Sequence, residues 1–176
     1  MSLFPADLAS WLSPAQLLGY AAFALGMACF LQTDDRRFKL FMAAECAAYI
    51  GHFALLGQPT AVASTAVSLA RSIASLKWRT PAVGLFFIAL SLALGAWLFQ
   101  GWLSLLPIAA SCIGTAALFF LHGLRMRALM LVGTLLWLVN NLLVGSIGGT
   151  LLEACLAVAN LRTISQLWRA EARAAA

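Results

Sequence analysis

Long apolar runs, each near the length of a membrane-crossing helix and parted only by a few turn-forming or charged residues, dominate this chain. They fall at residues 16–31, 38–56, 61–76, 82–99, 103–121, 128–144 and 150–167. About 20 predominantly apolar residues are needed to cross a hydrocarbon core about 30 Å thick. A chain of 176 residues therefore supplies about seven spans and short loops, with no room for a sizeable soluble domain. All seven runs read as helices. The alternative in lipid is a β-barrel, whose strands span about 10 residues and alternate in polarity, whereas these runs are longer and apolar on every face.

The separators are turn-forming or charged: Thr33-Asp34-Asp35-Arg36-Arg37, Gly57-Gln58-Pro59, Lys77-Trp78-Arg79-Thr80-Pro81, Gln100-Gly101, Gly123-Leu124-Arg125 and Gly145-Ser146-Ile147-Gly148-Gly149. Such short loops imply antiparallel neighbours in one bundle. Composition agrees, with 63% hydrophobic residues against 10% charged. Threading seven spans places Arg36, Arg37, Lys39, Arg71, Lys77, Arg79, Arg125, Arg127, Arg162, Arg169 and Arg173, all of the chain's Lys and Arg, on or near one side. The positive-inside rule then puts the N-terminus outside and the C-terminus inside. The +5 net charge is this topology signal, met by anionic lipid headgroups, and needs no nucleic-acid partner.

The opening Met1-Ser2-Leu3-Phe4-Pro5-Ala6-Asp7 lacks a basic stretch, so no cleaved signal peptide is expected and the first helix stays. Trp11, Trp78, Trp97, Trp102 and Trp168 fall at predicted span ends, where an indole prefers the headgroup level, and Trp137 alone lies deep within a span. Cys29, Cys46, Cys112 and Cys155 lie inside predicted spans with no CxxC and no histidine spacing suited to zinc. They read as small packing residues, and no metal or cofactor is expected.

The chain also repeats itself. Residues 14–79 resemble 107–169: both start at a proline, Pro14 and Pro107, and their first helices close on Phe30-Leu31-Gln32 and Phe120-Leu121-His122. A basic loop follows in each. The second helices end as Tyr49-Ile50-Gly51-His52 and Trp137-Leu138-Val139-Asn140, and the third end as Arg71-Ser72-Ile73 and Arg162-Thr163-Ile164. Residues 82–99 have no counterpart. One odd helix between two three-helix units gives both units the same orientation, a parallel 3+1+3 repeat.

This pattern resembles the SWEET, SemiSWEET and PQ-loop superfamily and, more narrowly, the YgjV family of bacterial inner-membrane proteins. The sharpest part is Leu136-Trp137-Leu138-Val139 followed by Gly145-Ser146. In similar SemiSWEET segments that Trp and a Gly-Ser turn precede a substrate-binding Asn in the third helix. The same sixteen-residue step from Trp137 reaches Glu153 here, and from Tyr49 it reaches Thr65. The Pro-Gln pair that names the PQ loop is replaced by Leu31-Gln32 and Leu121-His122, so its proline hinge is missing. The expected organisation is an all-α membrane protein with a periplasmic segment (1–13), repeat 1 (14–79), a linker helix (80–101), repeat 2 (102–169) and a cytoplasmic tail (170–176). The expected location is the bacterial inner membrane.

Polar residues inside the spans carry the functional reading, because an ionisable group in lipid costs several kcal/mol unless it faces a cavity or a partner. Glu45, Tyr49 and His52 share a helix face at i, i+4 and i+7, as do Glu153 and Asn160. Trp137, Asn140 and Asn141 are neighbours on the sixth helix. Two such stripes facing one another make a candidate pathway, with Trp137, Glu153, Tyr49, Thr65, His52, Asn140, Asn141, Asn160 and Glu45 as its residues. Plainer readings stand beside this one. The asparagines can be interhelical glue, Glu45 can pair with Arg71 or Arg162, and His52 can be a satisfied neutral histidine instead of a proton relay to Glu153. Arg71 and Arg162 read as lipid anchors or as an inner gate.

No P-loop, HExxH, GxSxG, EF-hand loop or strand-borne GxGxxG is present, and Gly145-Ser146-Ile147-Gly148-Gly149 lacks a lysine and reads as a turn. Three functions fit: a transporter or facilitator of a small polar solute, with proton coupling open; a non-transporting receptor, scaffold or subunit on the same bundle; and an intramembrane enzyme using Glu45, Tyr49 and His52. The enzyme lacks a recognisable nucleophile, base and orienter, so no enzymatic activity is expected. The expected partners are membrane lipids and the solute, and the chain is expected to be a monomer or a small homo-oligomer.

Overall fold

A computed structural model of the chain describes residues 11–30 and 35–174. The opening segment 1–10 and residues 31–34, which hold Leu31-Gln32 and Thr33-Asp34, lie outside the described residues, and so do the side chains of Arg36, Arg37 and Lys39. The described residues contain seven α-helices and no strand: α1 (Pro14–Phe30), α2 (Asp35–Leu55), α3 (Pro59–Ser75), α4 (Pro81–Trp97), α5 (Leu105–Phe120), α6 (Gly123–Leu143) and α7 (Ile147–Ala174). A short 3₁₀ turn, Trp102–Ser104, leads into α5.

Local chemistry sets the helix ends. Proline opens α1, α3 and α4, where its missing N–H costs nothing and its fixed φ suits the first turn. Thr80 caps α4 by accepting from the Val83 amide. The α2–α3 and α6–α7 turns are built alike. Gly57 and Gly145 adopt φ of 67° and 72°. The Gln58 amide donates to the Phe53 carbonyl and Gly57 to Ala54, while Ser146 donates to Asn141 and Gly145 to Leu142. Both are Schellman closures, in which a left-handed glycine satisfies the last carbonyls of the helix.

The contacts give each helix its direction. Gln16, near the start of α1, bonds the turn just before α7. Arg79, just beyond α3, donates to the Leu118 and Leu121 carbonyls at the far end of α5. Accordingly α1, α3, α5 and α7 run one way and α2, α4 and α6 the other. The glycine turns at 57, 101 and 145 mark one end of the bundle, and Arg71, Lys77, Arg79, Arg125 and Arg127 lie toward the opposite, basic end. Six helices close a ring in the order α1, α2, α3, α5, α6, α7 and back to α1. Helix α4 lies outside it, on α3 and α5. There Gly84 admits Phe119 and Gly95 admits Ile108, because a Cβ at either would sit within 2.7 Å of the partner side chain.

Three helices, Trp102–Phe120, Gly123–Leu143 and Ile147–Arg173, are long and apolar enough to cross a membrane by length and composition alone. Pro14–Cys29, Leu40–Leu55 and Pro81–Trp97 are shorter apolar helices. The expected third span is different in kind. Thr60, Ser64 and Thr65 of α3 are buried, and Ser68 and Arg71 continue the polar series toward its end. A helix whose polar face is enclosed by protein needs less overall apolarity than one surrounded by lipid. Elsewhere the outer surface is apolar, with Leu85, Phe86, Leu92 and Phe99 all more than half exposed. The five tryptophans expected at span ends are exposed, whereas Trp137 is partly buried inside the ring.

Candidate functional site

The ring encloses a cavity of about 140 Å³ where α2 and α3 meet α6 and α7. Its lining comprises Glu45, Cys46, Tyr49 and Phe53 from α2, Thr65 and Ser68 from α3, Trp137 and Asn141 from α6, and Glu153 from α7. Tyr49 and Trp137 each precede the end of their helix by six residues, and Thr65 and Glu153 each follow the start of theirs by six. At 1.5 Å per residue these four lie about 9 Å below the turn end. Glu45, ten residues from either end of α2, lies deeper, near the middle of the bundle.

One wall is aromatic. Tyr49 stacks on Phe53 with ring centroids 5.5 Å apart, and Phe53 stacks on Trp137 at 5.8 Å, so the ladder crosses from α2 to α6. Phe53 is 2% exposed and anchors this wall. The remainder is polar and acidic: two carboxylates line the cavity and, among the described residues, no Lys, Arg or His does. Glu45 is also close to α1, where a Cβ on Gly26 would come within 3.2 Å of its Oε1 and 2.8 Å of Leu152. The Tyr49 hydroxyl and Asn141 Oδ1 are buried without a protein hydrogen-bond partner. No group of three His, Cys, Asp or Glu side chains among the described residues is placed to hold a metal ion.

Six of the residues expected to line a pathway thus surround one cavity: Glu45, Tyr49, Thr65, Trp137, Asn141 and Glu153. Three do not. His52 is fully buried, with Nδ1 2.6 Å from the Ala15 carbonyl oxygen and Nε2 2.6 Å from the Ser146 hydroxyl. Since a carbonyl only accepts, Nδ1 carries the proton and Nε2 accepts from Ser146, whose oxygen in turn accepts from the Gly149 amide. Of the two readings left open by the sequence, a proton relay to Glu153 and a satisfied neutral histidine, this arrangement matches the second, with both ring nitrogens serving the contact between α1 and the α6–α7 turn. Helix rotation explains it. At about 100° per residue the cavity-facing stripe of α2 runs through Glu45, Tyr49 and Phe53, leaving His52 on its α1 edge. Asn140 is buried outside the lining, with neither side-chain polar atom bonded to protein. Asn160 donates to the Arg127 carbonyl at 3.0 Å and belongs to a separate groove between α6 and α7.

The paired arginines part company as well. Arg71 turns onto α5, where its Nη1 donates to the Ser111 carbonyl and the Thr115 hydroxyl at 3.0 Å each, in a notch that Gly114 leaves open. That geometry ties Arg71 to α5, where the sequence left open a lipid anchor, an inner gate or an ion pair with Glu45. Arg162 is exposed on the outer face of α7, beside Cys155 and Val158.

Several contributors escaped the sequence reading. Phe53 and Ser68 follow Tyr49 and Thr65 by four and three residues, a helical spacing that marks them in retrospect. Gln16 left a weaker signal, as an amide at the start of an apolar run. It donates to the Gly145 carbonyl and accepts from the Ile147 amide at 3.2 Å, clasping the turn that His52 also holds.

Comparison with known proteins identifies the family. No solved structure matches the chain. It is 36% identical over 165 residues to the inner membrane protein YgjV of Escherichia coli strain K12, covering 94% of this chain and 89% of that relative. The Imp-YgjV family, described as bacterial inner membrane protein, matches residues 13–171. With that match spanning nearly the whole helical bundle, the chain belongs to the YgjV family and is a multi-pass protein of the bacterial inner membrane.

Proposed function

We propose that this protein is a SWEET-like transporter or facilitator that moves a small polar solute across the inner membrane by alternating access. In this reading seven helices span the bilayer, with the N-terminus outside and the basic end cytoplasmic. Two parallel three-helix units, 14–79 and 102–169, rock about the cavity, and the linker helix in 80–101 joins them. Its place within the PQ-loop superfamily rests on the repeat and on Trp137 with its following Gly-Ser turn.

The observation that carries the proposal is the cavity between the units, lined by Glu45, Tyr49 and Thr65 from one and Trp137, Asn141 and Glu153 from the other. Two carboxylates kept inside a membrane bundle with no lining cation among the described residues are costly in a purely structural protein, and polar groups near mid-bilayer at a repeat interface mark transporter sites. The paired seams support the same reading. The first helix of each unit packs on the third helix of the other, α1 on α7 and α5 on α3, which leaves two contacts that can open in turn.

The test is substrate counterflow in proteoliposomes holding the purified protein, screened with pooled labelled sugars, amino acids, amines and organic acids. Flux that disappears in Glu153→Gln and Trp137→Ala, with both variants folded, is the expected result. Flux unchanged in both removes the site assignment. No flux from any pool with folded protein favours a non-transporting receptor or scaffold.

A further inference from the structure

We infer that the cavity binds a small organic cation bearing N–H donors, such as a short alkylammonium, with its charge between Glu153 and Glu45 and its carbon skeleton on the aromatic wall. This rests on the same cavity as the transporter reading and narrows its solute to one chemical class.

Charge is the first argument. Glu45 and Glu153 both line the cavity and, among the described residues, no basic side chain does, so a positive guest supplies a counter-charge that the described lining lacks. The second argument is independent of the carboxylates. Tyr49 is 8% exposed and Asn141 2%, both line the cavity, and the Tyr49 hydroxyl and Asn141 Oδ1 have no protein partner. An amide oxygen is purely an acceptor, as is an ionised carboxylate, so the lining calls for a guest rich in donors. An ammonium offers up to three N–H groups and no acceptor. A hydroxylated neutral solute brings as many acceptors as donors and leaves the carboxylates without a counter-charge.

The third argument is shape. The stacked Tyr49, Phe53 and Trp137 rings present an apolar and cation-attracting surface beside the acidic one. A cavity of about 140 Å³ is close to the volume that takes a benzene-sized guest, about six non-hydrogen atoms. A hexose is twice that size.

The experiment is equilibrium binding of labelled n-butylamine, charged at neutral pH, to the full chain in lipid nanodiscs, with n-butanol and butyrate as neutral and anionic counterparts. Butylammonium is expected to bind and the other two are not. Glu153→Gln should weaken binding at least about thirtyfold, as loss of one partner from a buried charge pair does. Tyr49→Phe keeps the ring and removes the hydroxyl, and should weaken it about fivefold. Its melting temperature checks that the fold is intact. Butanol or butyrate binding as well as the amine, or an amine that binds equally well to Glu153→Gln, overturns the inference. So does folded protein that binds no amine while neutral solutes exchange in counterflow, a result that leaves the transporter standing. Amine binding without counterflow of any solute upholds the cation site and removes the transporter.

Discussion

The two seams that close the ring occupy equivalent places and are held by different chemistry. At the α1–α7 seam the fastening is neutral and lies at the turn end, where Gln16 and His52 clasp Gly145, Ser146 and Ile147. The helix backbones also touch there, with Gly148 against the Gly19 carbonyl. The α3–α5 seam is held nearer the basic end by two long side chains: Arg71, laid into a notch formed by Ser111, Gly114 and Thr115, and Arg79, which donates to the Leu118 and Leu121 carbonyls. The first is a close, many-point contact with no slack. The second hangs on two long, flexible side chains. Under the proposed alternating access this difference would give the seams unequal roles: the α1–α7 seam would close one end firmly, and the α3–α5 seam would yield more easily.

Substitutions that act on one seam at a time sharpen or break that contrast. The largest effect is expected from Gly148→Ala, because its Cβ would run into the Gly19 backbone, which cannot rotate away. A loss of about 3 kcal/mol or failure to assemble is expected, seen as reduced yield and a lower unfolding temperature in detergent. His52→Leu should cost about 2 kcal/mol, since it leaves the Ala15 carbonyl and the Ser146 hydroxyl short of a buried partner. Arg71→Met should cost about 1 kcal/mol or less. Thr115 Oγ1 also donates to the Ser111 carbonyl, so its loss strands no acceptor. Smallest is Gly114→Ala, expected below about 1 kcal/mol, because the atoms nearest the new methyl are the movable end of Arg71, at 2.9 Å. If Gly114→Ala and Gly148→Ala melt alike, the two seams are equally rigid and the contrast fails.

Much of the bundle was legible because membrane burial writes itself into composition. Apolar runs, glycine turns and the one-sided cations are local signals, and all seven helices of the described structure fall on the runs that predict them. The cavity was partly legible for a related reason. Glu45 and Glu153 are too costly in lipid to be incidental, and Trp137 was out of place away from a span end. What did not follow was direction around each helix axis. His52 and Glu45 share a face by spacing, yet one serves the α1 seam and the other the cavity, because a cavity-facing stripe has edges that sequence spacing cannot position. Asn160, likewise in line with Glu153, is drawn to the Arg127 carbonyl on α6 instead.

The sequence by itself determined the all-helical membrane bundle, its short turns and the set of polar residues that lipid would not tolerate. Each of these is a property of one helix or one turn, governed by transfer energy and backbone geometry. Only the tertiary structure decided which of those polar residues meet, because their meeting depends on helix rotations set jointly by all neighbours. It alone separated Arg71, held on α5, from Arg162, exposed on α7. Two residues with the same local sequence environment diverged because the helices packed against them differ: α5 offers Ser111, Gly114 and Thr115, and the outer face of α7 offers none.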